Sequence, residues 1–173
     1  MNITQTLLNI GKTVAFLVVL WSILLLALPI GISIIEVDLG LQRFPPQPLL
    51  AGPLLLLTTL LTLWSAFTCA ISGWGTPLPI DPPRELVTSG PYAYVRHPFV
   101  IGVVGQIVAL GIALGSVPVI AYAAVCLIVW YFGVRPGEER ALLDRFEGQA
   151  LAYFQQVRGF RPRMTPYKTR ATR

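Results

Sequence analysis

The chain has 173 residues, 54% of them hydrophobic and only 12% charged, with a formal net charge of +5 at pH 7. Soluble domains carry roughly a quarter charged residues, so this balance excludes an ordinary water-soluble enzyme and points to lipid as the solvent. The two cysteines have no CxxC spacing and no second metal-type ligand nearby in sequence, which argues against a disulfide scaffold or a zinc site.

A helix needs about 20 mainly apolar residues to cross a bilayer core of roughly 30 Å. Residues 14–35 and 49–72 each supply that length without a charge before the last position is passed, and both are predicted to span. The first is longer than the roughly 7–15 apolar residues of a secretory signal and ends on a poor cleavage site, Leu28-Pro29-Ile30, so it is expected to remain in the mature protein. The loop 73–96 is dense in turn formers: Gly73, Gly75, Pro77, Pro79, Pro82, Pro83, Gly90 and Pro91. Successive prolines favour extended backbone, which predicts a rigid strap across the membrane surface. It leads into Pro91-Tyr92-Ala93-Tyr94-Val95-Arg96-His97-Pro98, which contains the chain's single histidine.

Next comes an apolar stretch interrupted at Gly115-Ser116-Val117-Pro118, which predicts a hairpin of two spans, 99–115 and 118–134. Gly111 and Gly115, four apart, read as close helix packing. Arg135-Pro136-Gly137 is expected to break the helix. Beyond it, Leu142, Phe146, Ala150, Tyr153 and Val157 recur every three or four residues, predicting an amphipathic helix over about 138–157. The remaining residues, 158–173, are expected to form a mobile, solvated tail.

Charge predicts the topology. Before Arg135 there are four Lys/Arg against four acids, and from Arg135 onward nine against four, so the whole surplus lies at the C-terminal end. By the positive-inside rule both termini, the 73–98 loop and the tail are cytoplasmic. The basic tail can hold anionic lipid headgroups; no nucleic-acid motif is present. Two readings of the polar clusters stand side by side. Tyr, Arg and His before a span can simply anchor it at the interface, and Glu138 and Glu139 can simply meet the helix dipole. Alternatively the two clusters converge in one site of mixed charge.

Leu86-Val87-Thr88-Ser89-Gly90-Pro91-Tyr92-Ala93-Tyr94-Val95-Arg96-His97-Pro98, then Gly102, resembles the signature of the isoprenylcysteine carboxyl methyltransferases and their phospholipid methyltransferase relatives. Glu138-Glu139-x-x-Leu142, Phe146, Tyr153 and Val157-Arg158 resemble that family's second motif. The resemblance implies an all-α polytopic membrane protein with about four transmembrane helices and a C-terminal amphipathic helix. It further implies one methyltransferase-like domain over 1–173, which uses S-adenosylmethionine and takes a lipophilic carboxylate or amine acceptor from the bilayer at the cytoplasmic face. By the same resemblance the donor pocket comprises Leu86, Val87, Tyr92, His97, Pro98, Phe99, Val100, Glu138 and Glu139. Glu138 would pair the donor's amino group, and His97 with nearby backbone N–H groups would meet its carboxylate. Tyr92 and Phe99 would wall the adenosine, and Arg135 or Arg96 would orient an acceptor carboxylate.

The chain departs from the family pattern at Val100, where a tyrosine is usual, and in Phe146-Glu147-Gly148-Gln149-Ala150, which replaces Phe-Gly-x-x-Tyr. The family's arginine upstream of the acidic pair falls nearest Arg135, displaced by about one position. There is no glycine-rich strand-to-helix fingerprint of a soluble dinucleotide fold. Two other readings remain: a steroid-reductase-like membrane oxidoreductase using a nicotinamide cofactor, and a non-catalytic lipid-binding relative.

Overall fold

The computed structural model describes residues 3–75 and 83–168. Pro77, Pro79 and Pro82, on which the rigid strap was expected, lie outside the described residues. Those described contain four long helices and no strand: α1 (Ile3–Asp38), α2 (Pro48–Ser72), α3 (Pro98–Leu114) and α4 (Val117–Gln156). By length and composition α1, α2 and α4 can each cross a membrane, while α3 is a shorter apolar helix of 17 residues. The chain is therefore an all-helical integral membrane protein, with three helices rather than four meeting the full length.

Outward-facing side chains fit that solvent: Leu49, Phe132 and Val37 are 92%, 73% and 64% exposed, an apolar surface that water would penalise and lipid does not. The interior is small by comparison. Val103 and Ile107 of α3 meet Val119 and Ala123 of α4, with Leu20, Leu24 and Leu25 of α1 packed against them. Side chains at Gly102 and Gly105 would run into Thr62 and Thr58, so these glycines set the close approach of α2 to α3.

Arg135-Pro136-Gly137 does not break the helix. A proline inside a helix clashes with the carbonyl four residues back, but here the preceding turn, Trp130–Val134, is widened to i→i+5 bonding, with the Arg135 N–H donating to the Trp130 carbonyl. The wider turn accommodates Pro136 and lets the spanning segment run directly into the charged one. The same device stands before Pro29, where Ser22–Ala27 is widened and the Leu28 N–H donates to the Ile23 carbonyl. A sharp kink occurs later instead, at Glu147 (φ 40°, ψ −118°).

The hairpin between α3 and α4 lies at the anticipated residues. Gly115 ends α3 at φ 66°, and the Ser116 hydroxyl caps α4 by accepting from the Val119 N–H at 3.2 Å. Gly115 is held there twice over, because its carbonyl accepts from the Phe44 N–H at 3.0 Å and an added Cβ would collide with the Phe44 carbonyl. Gly115→Ala combines left-handed strain with that collision, so it is expected to cost more than about 1 kcal/mol. Thermal unfolding in detergent checks this, and an unchanged midpoint would show that the 44–47 segment is not docked on the turn.

The described part of the C-terminal tail is not free. The Arg96 and His97 N–H groups donate to the Arg158 and Gly159 carbonyls at 3.1 and 3.3 Å, and those of Arg163 and Tyr167 donate to the Tyr94 and Ala93 carbonyls at 2.9 Å each. Residues 158–167 are thus pinned along the 93–97 segment, which would otherwise leave buried backbone groups unpaired. Buried Tyr153 and Val157 underlie this contact.

Candidate active site

The end of α2, the start of α3 and the middle of α4 meet at one end of the bundle and enclose a cavity of about 500 Å³, within the roughly 300–1,000 Å³ usual for small-molecule sites. The turn Gly90–Ala93 sets Tyr92 into it, and the step from His97 into Pro98 starts α3 with Phe99 and Val100 on its wall. Leu86, Val87, Tyr92, Arg96, His97, Phe99, Val100 and Glu138 all line this one space. Pro98, Glu139 and Arg135 do not. Pro98 is buried at the first position of α3, where a residue without an N–H sacrifices no hydrogen bond.

Glu139 faces the other way and gathers three cationic or imidazole groups on one oxygen. Its Oε1 lies 2.7 Å from Arg96 Nη1, 3.0 Å from Arg135 Nε and 3.2 Å from His97 Nε2. Burial raises its pKa, but the hydrogen bonds from His97, Arg135 and Arg96 outweigh that and hold the carboxyl at about 2. Arg96 also donates to the carbonyls of Phe154 and Val157 at 2.8–3.2 Å and lies over the Phe154 ring at 4.0 Å. Arg135 lies over Tyr131 at 4.5 Å. Arg96 is therefore engaged in holding the signature segment to α4, while Arg135 is tied to Glu139 through its Nε.

His97 is likewise committed. Burial lowers its pKa against the opposing pull of Glu139, so the ring is neutral and donates its Nε2 proton to that carboxylate. Trp130 meets the ring edge-on at 4.7 Å, and Phe160 of the pinned tail lies at 6.2 Å. With its ring N–H and backbone N–H both used, His97 has no proton left to offer a carboxylate. The N–H groups of Phe99 and Val100 are different. They stand in the first turn of α3, make no hydrogen bond among the described residues, and carry the positive end of the helix dipole.

Glu138 is half-buried on the cavity wall and has neither a hydrogen bond nor an ion pair among the described residues. Desolvation, and then the neighbouring charge of Glu139, push its carboxyl up to about 7. A carboxylate held without a partner in a partly dry space is a strong acceptor for an ammonium group.

Several lining residues escaped the reading of the sequence. Cys69 donates its thiol to the Tyr92 hydroxyl at 3.1 Å, the Tyr153 hydroxyl donates to the Tyr92 carbonyl at 2.7 Å, and Arg145 donates to the Pro83 carbonyl at 2.8 Å. Tyr153 and Leu142 were legible as apolar periodicity; Cys69, Gly133 and Arg145 carried no local signal. Of the departures from the family pattern, Val100 lies on the cavity wall, whereas Ala150 is fully buried in packing.

A helical integral membrane protein with a ligand-sized cavity at one end of its bundle is the class that fold and site define. Residues 46–149 match the phospholipid methyltransferase family, more than half of the chain, and the chain belongs to that family, which includes the isoprenylcysteine carboxyl methyltransferases. A curated relative, the cobalt-zinc-cadmium resistance protein CzcN of Cupriavidus metallidurans, is 34% identical over 89 residues, which are 51% of this chain and 41% of the relative. The matched region thus spans less than half of that relative's length. No solved structure matches significantly.

Proposed function

We propose that the protein is an S-adenosylmethionine-dependent methyltransferase acting on a lipophilic acceptor, and the observation that carries this reading is the unpartnered Glu138 carboxylate on the wall of a 500 Å³ cavity. The donor fits the residues present. Glu138 would take its amino group, the free N–H groups of Phe99 and Val100 its carboxylate, and Tyr92 with Leu86 and Val87 its adenosine. When bound, the donor supplies an activated methyl group on a sulfonium centre.

This chain's residues contribute orientation and exclusion of water, the two effects a displacement at a methyl carbon chiefly needs. Phe99, Val100 and Val134 contribute apolar side chains to the cavity wall. Glu139 acts at one remove, as a positioning residue that fixes His97, Arg96 and Arg135 behind the wall. A carboxylate acceptor would arrive ionised, and an amine acceptor would react as the free base, its proton having passed to water before transfer. The single-domain reading of 1–173 and a cytoplasmic placement of the site, from the positive C-terminal charge, belong to the same proposal.

Calorimetric binding of S-adenosylhomocysteine to the detergent-purified protein tests it, with NADPH as comparison. The pH series has a definite sign. The free enzyme's Glu138 titrates near 7 and only its ionised form pairs an ammonium, so affinity is expected to strengthen as pH rises from about 6 to 8. Saturable NADPH binding without S-adenosylhomocysteine binding would turn the assignment to the reductase class. A flat pH profile would remove Glu138 from the donor site.

A further inference from the structure

Residues 158–168 carry Arg158, Arg161, Arg163 and Lys168 and no acid. A terminal run of that composition is ordered only where something ties it down, and here the ties are backbone bonds: Arg96 and His97 donate to its carbonyls, and its Arg163 and Tyr167 N–H groups donate back to Tyr94 and Ala93. The side chains are left out of this arrangement. Arg158, Arg161 and Lys168 are all exposed, and none of the three makes an ion pair or a side-chain hydrogen bond among the described residues. The depth of the segment is set by Phe160, whose ring meets Trp130 edge-on at 5.6 Å. Trp130 stands five residues before Arg135, in the last widened turn of the apolar part of α4, and Phe132 beside it faces outward. An aromatic at the close of a spanning segment marks the level where hydrocarbon gives way to headgroups. The pinned segment therefore lies at that level, with Met164 projecting from it at 99% exposure.

We propose that residues 158–168 form a fixed docking arm for anionic phospholipid headgroups, with Arg158, Arg161 and Lys168 meeting the phosphates and Met164 resting in the boundary layer. Charge complementarity selects the occupant: unpaired cations without a neighbouring acid, held where phosphates already lie. Because the backbone is pinned, the arm gives up little freedom on binding, which is the advantage of a preorganised site. Each basic group held near an anionic surface raises affinity about fivefold, and an exposed apolar residue among basic ones is the pattern of segments that lie in the interface plane. A soluble acidic partner would have to displace headgroups from the same level. The arm is independent of the donor cavity, whose lining contains none of these four residues.

The test uses the full-length protein in phosphatidylcholine nanodiscs doped with a photoactivatable phosphatidylglycerol, its diazirine near the headgroup, or with the matching phosphatidylcholine probe. Adduct mapping by mass spectrometry is expected to find the anionic probe on residues 158–168 at least about tenfold more often than the zwitterionic one, given three cations at the surface. Raising salt from about 0.1 to 1 M, which shortens the screening length from about 10 to 3 Å, is expected to erase most of that preference. The Arg158→Gln/Arg161→Gln/Lys168→Gln variant should lose it at low salt while keeping its thermal midpoint, since these side chains hold nothing in the fold. Equal labelling by the two probes, or a preference that survives both the salt and the folded variant, overturns the site. Absence of either probe from the arm also overturns it, placing the segment in water and open to a soluble acidic partner. If the triple variant fails to fold, the salt series on the wild type decides.

Discussion

Glu139→Ala is expected to destabilise the protein by about 2–3 kcal/mol, below the roughly 3–5 kcal/mol for breaking a fully buried pair because the Glu139 side chain keeps 20% of its exposure. The loss comes from what remains behind. Arg96, with 10% side-chain exposure, would keep its carbonyl contacts but lose its counter-charge, and His97 would lose the acceptor that fixes its ring. Glu139→Gln retains an acceptor without the charge and should fall between the two. Thermal unfolding of the purified variants measures this, and a midpoint for Glu139→Ala equal to wild type would mark the cluster as a solvated surface pair. The pH dependence has the sign of a depressed acid: with the folded pKa at about 2 against an ordinary 4.5, the cluster's contribution is present above 4.5 and is lost as pH falls toward 2.

Glu138→Ala should behave in the opposite way. Removing one charge-assisted hydrogen bond, worth about 1.5–3 kcal/mol, weakens S-adenosylhomocysteine binding roughly 10- to 100-fold, while stability is unchanged or slightly raised. The sign follows from its elevated pKa: folding disfavours the ionised form, so the cost sets in as pH rises above 4.5 and is complete above about 7. Any stability gained by Glu138→Gln should grow across that window and then level off, and it should be small because the half-exposed group is screened by solvent. Adjacent glutamates thus part cleanly, Glu138 toward ligand and Glu139 toward structure. Equal losses of binding and of stability at both positions would show instead that the pair serves only to cap the charged half of α4.

The membrane character, the helical class and the α3–α4 turn were legible in the sequence, because each rests on local physics: long uncharged runs, and glycine and proline where the backbone must turn. The motifs also marked the two segments that meet at the cavity, and eight of the eleven residues they singled out line it. Three matters were decided only by tertiary structure. Continuity through Arg135-Pro136-Gly137 depends on a widened turn whose hydrogen bonds no local residue type announces. The direction of each glutamate depends on which neighbours approach α4: Arg96 and His97, 43 and 42 positions away, draw Glu139 and leave Glu138 to the cavity. The tail's order likewise depends on unpaired backbone groups at 93–97 that its own basic, polar residues do not reveal. Composition and periodicity determined where this chain sits and how it coils, since those energies belong to single segments; the allocation of charge within the site is a property of segments brought together, and only the packed bundle decides it.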